Sequence, residues 1–171
     1  MSWDPVWEEV FRTRDWGRYP QEEVVRFVAT HFYRVPDRKS VRMLEIGCGP
    51  GSGASWFIAR EGFSVAGIDG SATAVEKARQ RFAAEGLNGE FAEGDIACLA
   101  WPDGSFEAVL DIGCLACNTE AESQAIIGEI HCVLRPGGVH FSLTAKAGCW
   151  GDGPGVRLDP TTLAAVTEGP F

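Results

Sequence analysis

Two spacings of apolar residues alternate along this chain. Short apolar runs at Met43 to Ile46 and Val65 to Ile68 predict strands, the first suited to burial on both faces, and a further short strand is read around Glu90 to Ala92. Between them, apolar positions three and four apart predict helices. Pro5 to Arg12 carries Val6, Val10 and Phe11. Gln21 to Val35 carries a stripe of Val24, Phe27, Val28 and Phe32, with His31 as an ordinary residue of that helix. Ser52 to Arg60 holds Trp56, Phe57 and Ile58. Ser71 to Gly86 reads as a helix with Ser71 as N-cap, Val75, Ala78 and Phe82 inward and Gly86 at its end. Glu120 to Leu134 is expected to bury Ile126, Ile127, Ile130, Val133 and Leu134, leaving His131 inert on its flank. Strands alternating with helices predict an α/β domain with a mostly parallel sheet covered on both faces.

The stretch Met43 to Ser71 carries the candidate chemistry. Gly47, Gly49, Gly51 and Gly53 leave the backbone after the first strand almost free of side chains, so a ligand can approach it closely. The helix that follows aims its N-terminal amides at that ligand. Asp69 ends the second strand about 20 residues beyond the glycines, where a βαβ unit sets an acid against ribose hydroxyls. Gly49, Gly51 and Ala54 also satisfy the dinucleotide spacing G-x-G-x-x-G/A. Glu45 argues against a dinucleotide, because its carboxylate just before the first glycine would face a pyrophosphate without charge compensation. A cationic ligand suits it. The run Glu45-Ile46-Gly47-Cys48-Gly49-Pro50-Gly51 resembles the first motif, E/D-x-G-x-G-x-G, of class I S-adenosylmethionine-dependent methyltransferases of the small-molecule type.

Further segments carry the same resemblance in the same order. Gly94-Asp95-Ile96 looks like the family's adenine contact, Phe106 to Ile112 like its fourth strand, and Leu134 to Gly138 like the turn into its fifth strand, Val139 to Thr144. The resemblance covers roughly residues 40 to 146. It implies a Rossmann-like sheet of order 3-2-1-4-5, S-adenosylmethionine as cofactor, and Glu45, Gly47, Cys48, Gly49, Gly51, Asp69, Gly70, Ser71, Asp95, Ile96, Asp111 and Ile112 as cofactor contacts. Trp16 and Tyr19, in the connector before the second helix, join this set because aromatic N-terminal segments of related enzymes close over the cofactor. Many relatives carry a bulkier residue at the position of Gly70, which leaves Ile96, Leu99 and Trp101 as expected adenine walls. Asp111 is the candidate base or acceptor-orienting group, its alternative role being a bond to the cofactor's ammonium.

Composition narrows the partners. The net charge of −9 disfavours a polyanionic partner, and the N/D-P-P-Y/F motif of amino-methylating nucleic-acid enzymes is absent at Asp111. From Phe11 to Arg42, however, eight basic residues face four acids, so a basic lid attracting an anion is one reading and a solvated helix face the other. No apolar run is long enough for a membrane span and no signal peptide is evident, so a cytoplasmic protein with reduced thiols is expected. Cys48, Cys114, Cys117 and Cys149 raise an alternative, a thiol-ligand (arsenite-type) methyltransferase; a non-catalytic S-adenosylmethionine-binding protein is another. No metal site is expected from the lone C-x-x-C.

The expected organisation is a single domain, with residues 1–40 as N-terminal lid and helix, 41–146 as cofactor-binding core and 147–171 as the start of a further part. One short helical signal spans Asp159 to Val166. The family's two closing strands are expected to be missing, as in a fragment of a longer chain.

Overall fold

Five parallel strands form the frame of the computed structural model, which describes residues 3–14, 16–145, 156–157 and 163–164. Strand β1, Arg42–Ile46, lies at the centre, since its apolar run suits burial on both faces. It pairs with β2, Ser64–Asp69, on one side and β4, Phe106–Ile112, on the other. Strand β3, Glu90–Glu93, extends the sheet beyond β2, and β5, Leu134–Leu143, beyond β4, giving the order β3-β2-β1-β4-β5. The chain therefore reverses its direction of winding between β1 and β4, and the crevice at their C-terminal ends is where open α/β sheets bind ligands.

Helices α2 (Glu22–Phe32), α3 (Ala54–Arg60) and α4 (Ala72–Glu85) pack Phe27, Ile58 and Phe82 with Met43, Val65 and Leu110 on one face of the sheet. Helix α5, Glu120–Val133, packs Ile126, Ile130 and Val133 with Leu44, Ile68 and Val109 on the other. Helix α1, Val6–Thr13, lies against α4 near the cavity described below. The caps expected at Ser71 and Gly86 are present, Ser71 Oγ accepting from Ala74 N and Gly86 closing α4 with φ of 65°; the structure adds a capping box of Thr119 with Glu122 on α5.

Several expectations are corrected. Ile127 is 48% exposed rather than buried, because α5 touches the sheet along a narrow stripe. Leu134 already pairs with Phe106 and so begins β5. The turn expected at Leu134 to Gly138 is a bulge inside the strand, since the register jumps from Phe106–Leu134 to Ala108–Val139. Pro136 has no amide to donate and Gly137 has φ of 80°, so these residues cannot continue the ladder. Helix α3 begins at Ala54 with Gly53 as its cap, not at Ser52. Leu163–Ala164, within the expected Asp159 to Val166 helix, is strand β7, paired antiparallel with β6, Val156–Arg157, in a separate two-stranded sheet. The rest of that segment lies outside the described residues, as does Cys149.

Candidate active site

A cavity of about 590 Å³ opens at the C-terminal ends of β1, β2 and β4, a size suited to a cofactor or small ligand. Its floor is the glycine loop after β1. Gly47, with φ of 62°, is required there for a second reason: a Cβ would fall 2.5 Å from Cys114 Sγ, so the loops after β1 and β4 interlock. Asp69, at the end of β2, holds the loop from the other side. Its Oδ2 accepts from Gly49 N at 2.8 Å and its Oδ1 from Ser71 N at 2.9 Å.

Glu45 serves both the cavity wall and the fold. Its Oε2 accepts from the amide of Ser55, at 2.8 Å, and from the Ser55 hydroxyl, anchoring the first turn of α3. Its Oε1 takes no hydrogen bond among the described residues. Burial, reinforced by the nearby carboxylates of Asp69 and Asp111 and opposed by Ser55, pushes its carboxyl up to about 8. Burial also raises Asp69, against the pull of the Ser71 and Gly49 amides. Among the described residues, the wall carries the carboxylates of Asp4, Glu45 and Asp69 and no Lys, Arg or His side chain. The electrostatics therefore favour a cation and disfavour phosphate.

The N-terminal segment forms the remaining wall. Trp3, Trp7, Phe11, Trp16 and Tyr19 all line the cavity. Trp7 and Phe11 stand one helical turn apart with ring centroids 5.9 Å apart, and Trp16 packs on both. Glu8 ties this segment down by accepting from Ser71 Oγ and Thr73 Oγ1 at the start of α4, and those bonds hold its carboxyl below the usual range. Lys77 Nζ donates to Phe11 O, and Gly53 N donates to Arg18 O at 3.1 Å. The basic residues of the segment are not in this wall. Arg12, Arg18, Arg26, Arg38 and Arg42 pair instead with Glu9, Glu85, Glu22, Glu61 and Glu90, which corrects the reading of a basic lid.

Of the residues expected from the sequence, Glu45, Gly47, Cys48, Gly49, Asp69, Gly70, Ile96, Ile112, Trp16 and Tyr19 line the cavity, and Gly51, Ser71, Asp95 and Asp111 do not. Gly51 packs against α4, where a Cβ would come within 2.8 Å of Ala78 Cβ. Ser71 is occupied as the cap of α4 and as the partner of Glu8. Asp95 Oδ1 accepts from Ala97 N at 2.9 Å.

Asp111 is the main correction. It is fully buried, with Oδ1 accepting from Cys114 N at 2.8 Å and Leu115 N at 3.0 Å, and Oδ2 accepting from Ser142 Oγ at 2.6 Å. A carboxylate so engaged holds the turn that carries Cys114 and is not poised as a base. Leu99 belongs to the core, and Trp101 anchors its loop through Glu90 Oε1 and the edge of Phe106, so neither walls the cavity.

The residues missed in the sequence are chiefly Trp3, Trp7 and Phe11; Trp7 and Phe11 lie four apart on one face of α1, and Trp3 precedes the helix. Cys48, Cys114 and Cys117 do meet at the cavity. Burial nonetheless raises the thiols of Cys48 and Cys114, and no group of three metal-binding side chains occurs among the described residues.

The family model described as a methyltransferase domain matches residues 43–138. The fatty-acid O-methyltransferase of Mycolicibacterium smegmatis is 36% identical over 112 residues, 64% of this chain and 39% of its own length. The sterol 24-C-methyltransferase erg-4 of Neurospora crassa is 28% identical over 125 residues, 70% of this chain and 32% of its own. This chain thus spans 32% and 39% of the length of these two curated relatives. Among solved structures, that of magnesium protoporphyrin IX methyltransferase from Synechocystis PCC 6803 with bound S-adenosylmethionine has a TM-score of 0.56 at 26% identity, covering 66% of this chain and 53% of that one. The [4+2]-cyclase SpnF has a TM-score of 0.63 at 27% identity, covering 81% and 53%.

Proposed function

Given that the chain belongs to the methyltransferase-domain family, we propose that it binds S-adenosylmethionine in this cavity and methylates a small-molecule acceptor. One observation carries the reading: the described wall presents Asp4, Glu45 and Asp69 and no basic side chain. This set of acceptors fits a ligand with an ammonium, a sulfonium and a ribose diol but no phosphate. When bound, S-adenosylmethionine supplies an electrophilic methyl group on its sulfonium, open to in-line displacement.

The chain's own residues provide binding, orientation and dryness. Asp69 would accept hydrogen bonds from a ribose diol, with its carboxylate already oriented by Gly49 N and Ser71 N. Glu45 would meet cationic charge, which favours its ionised form and offsets the cost of its burial. The aromatic residues of the N-terminal segment exclude water, so catalysis rests on positioning and desolvation rather than on a general base. Asp111 acts as a positioning residue, fixing the turn from Gly113 to Cys117 beside the cavity. An acceptor with apolar surface suits the Trp7, Trp16 and Tyr19 rim, in line with the fatty-acid and sterol acceptors in the names of relatives.

The test is titration calorimetry with S-adenosylhomocysteine, with NAD as competitor, followed by turnover with carboxylates, phenols, amines, thiols and sterols, reading S-adenosylhomocysteine release. Binding unaffected by equimolar NAD, with methylation of a small acceptor, is expected. Displacement by NAD, or methylation of tRNA or duplex DNA without small-molecule turnover, would overturn the reading.

A further inference from the structure

A nucleoside held through its ribose by Asp69 must set its base beside the residues that flank that carboxylate, because the base is bonded to the ribose. In the cavity wall those residues are Gly70, Gly94, Ile96 and Trp3. Gly70 directly follows Asp69 and contributes no side chain. A Cβ built on it would lie 2.5 Å from both Cγ and Cδ2 of the Trp3 indole. Trp3 therefore stands in the volume that a side chain at position 70 would fill.

Trp3 is held there by contacts that need no ligand. Asp4, next in the chain, accepts from Val6 N at 2.9 Å through its side chain and from Trp7 N at 3.1 Å through its carbonyl, which sets the start of α1. Helix α1 is bound to α4 through Glu8 with Ser71 and Thr73, and through Lys77 with Phe11 O. Each of these anchors lies on or beside the first turns of α4, immediately after Asp69. Gly94 N donates to Asp69 O at 3.0 Å, which keeps the Ile96 turn close to the end of β2.

We propose that Trp3 is the base-stacking wall of the nucleoside site, supplied by the N-terminal segment in place of the side chain that Gly70 lacks. This rests on the reading that S-adenosylmethionine occupies the cavity. Trp3 is a specificity residue: its indole face offers stacking and dispersion to a purine and touches none of the reacting atoms. It also couples docking of α1 on α4 to binding of the nucleoside half of the cofactor.

The experiment is titration calorimetry with two probes, S-adenosylhomocysteine and 5′-methylthioadenosine, the second keeping the nucleoside and lacking the amino-acid end. Trp3→Ala is expected to weaken both by about tenfold and by the same factor. Adding Gly70→Leu to Trp3→Ala is expected to recover most of that loss, because the leucine side chain then fills the volume that the indole has left and supplies the wall. No recovery on adding Gly70→Leu, a loss confined to S-adenosylhomocysteine, or tighter binding by the single Trp3→Ala variant would overturn the assignment. Failure of the wild-type chain to bind either probe would bring down the occupancy reading as well, and is distinguished by appearing before any substitution is made.

Discussion

Ser55 gives both its amide and its hydroxyl to one oxygen of Glu45, so the carboxylate in the cavity wall is also the anchor of helix α3. The charge that would attract a cationic ligand is thus paired with neutral donors only, and it is costly until that ligand arrives.

This cost has a pH signature. Glu45 has an ordinary value of 4.5 and stands at about 8 in the fold. Between those values the folded chain holds a proton that the unfolded chain has released, so this contribution to stability is present below 4.5 and lost as pH rises to about 8. Glu45→Gln is expected to remove that slope, so the melting temperature of the variant relative to wild type should rise with pH across this window. Binding of S-adenosylmethionine near pH 7 is expected to release a proton in the wild type and none in the variant, read by calorimetry in buffers of different ionisation enthalpy. Proton uptake would contradict the assignment.

Asp69→Ala is expected to weaken S-adenosylhomocysteine binding by about 2–4 kcal/mol through loss of charge-assisted hydrogen bonds. The melting temperature should fall too, because Gly49 N and Ser71 N lose their acceptor. Asp69→Asn keeps an acceptor oxygen, so it should recover stability more fully than affinity. Unchanged affinity in Asp69→Ala would refute the ribose role.

Asp111→Ala leaves Cys114 N, Leu115 N and Ser142 Oγ without their acceptor, and a loss of about 2–4 kcal/mol in denaturant unfolding is expected. For Asp111→Asn, kcat should fall while the shape of the pH–rate profile persists. Disappearance of an acidic limb from that profile would restore Asp111 as a base.

Gly47→Ala forces a Cβ to 2.5 Å from Cys114 Sγ at a positive φ, so both stability and cofactor affinity should drop. Cys114→Gly in that background removes the obstructing side chain and should restore part of both, as read by melting temperature and calorimetry. No recovery would mean that the interlocking of the two loops is not the source of the loss.

Most helices, the first two strands and the glycine loop were legible in the sequence, because these depend on local periodicity and on side chains a few residues apart, whereas the strand order followed from the family resemblance. Ser71 and Gly86 bound α4 where their cap chemistry predicts, and β4 spans Phe106–Ile112 as read. Asp69 and Glu45 line the cavity because strand ends and glycines fix them within a single βαβ unit. Tertiary structure alone decided which polar groups face the cavity and which are consumed by neighbours. Glu8 reaches Ser71 and Thr73 across more than sixty positions of chain, removing Ser71 from the site, and Trp3 covers Gly70. Asp111 stands at a strand end just as Asp69 does. The turn after β4 folds its amides back onto it, and Ser142 of the adjacent strand closes the remaining side, so the same residue type that lines the cavity in one loop is buried as an anchor in the other.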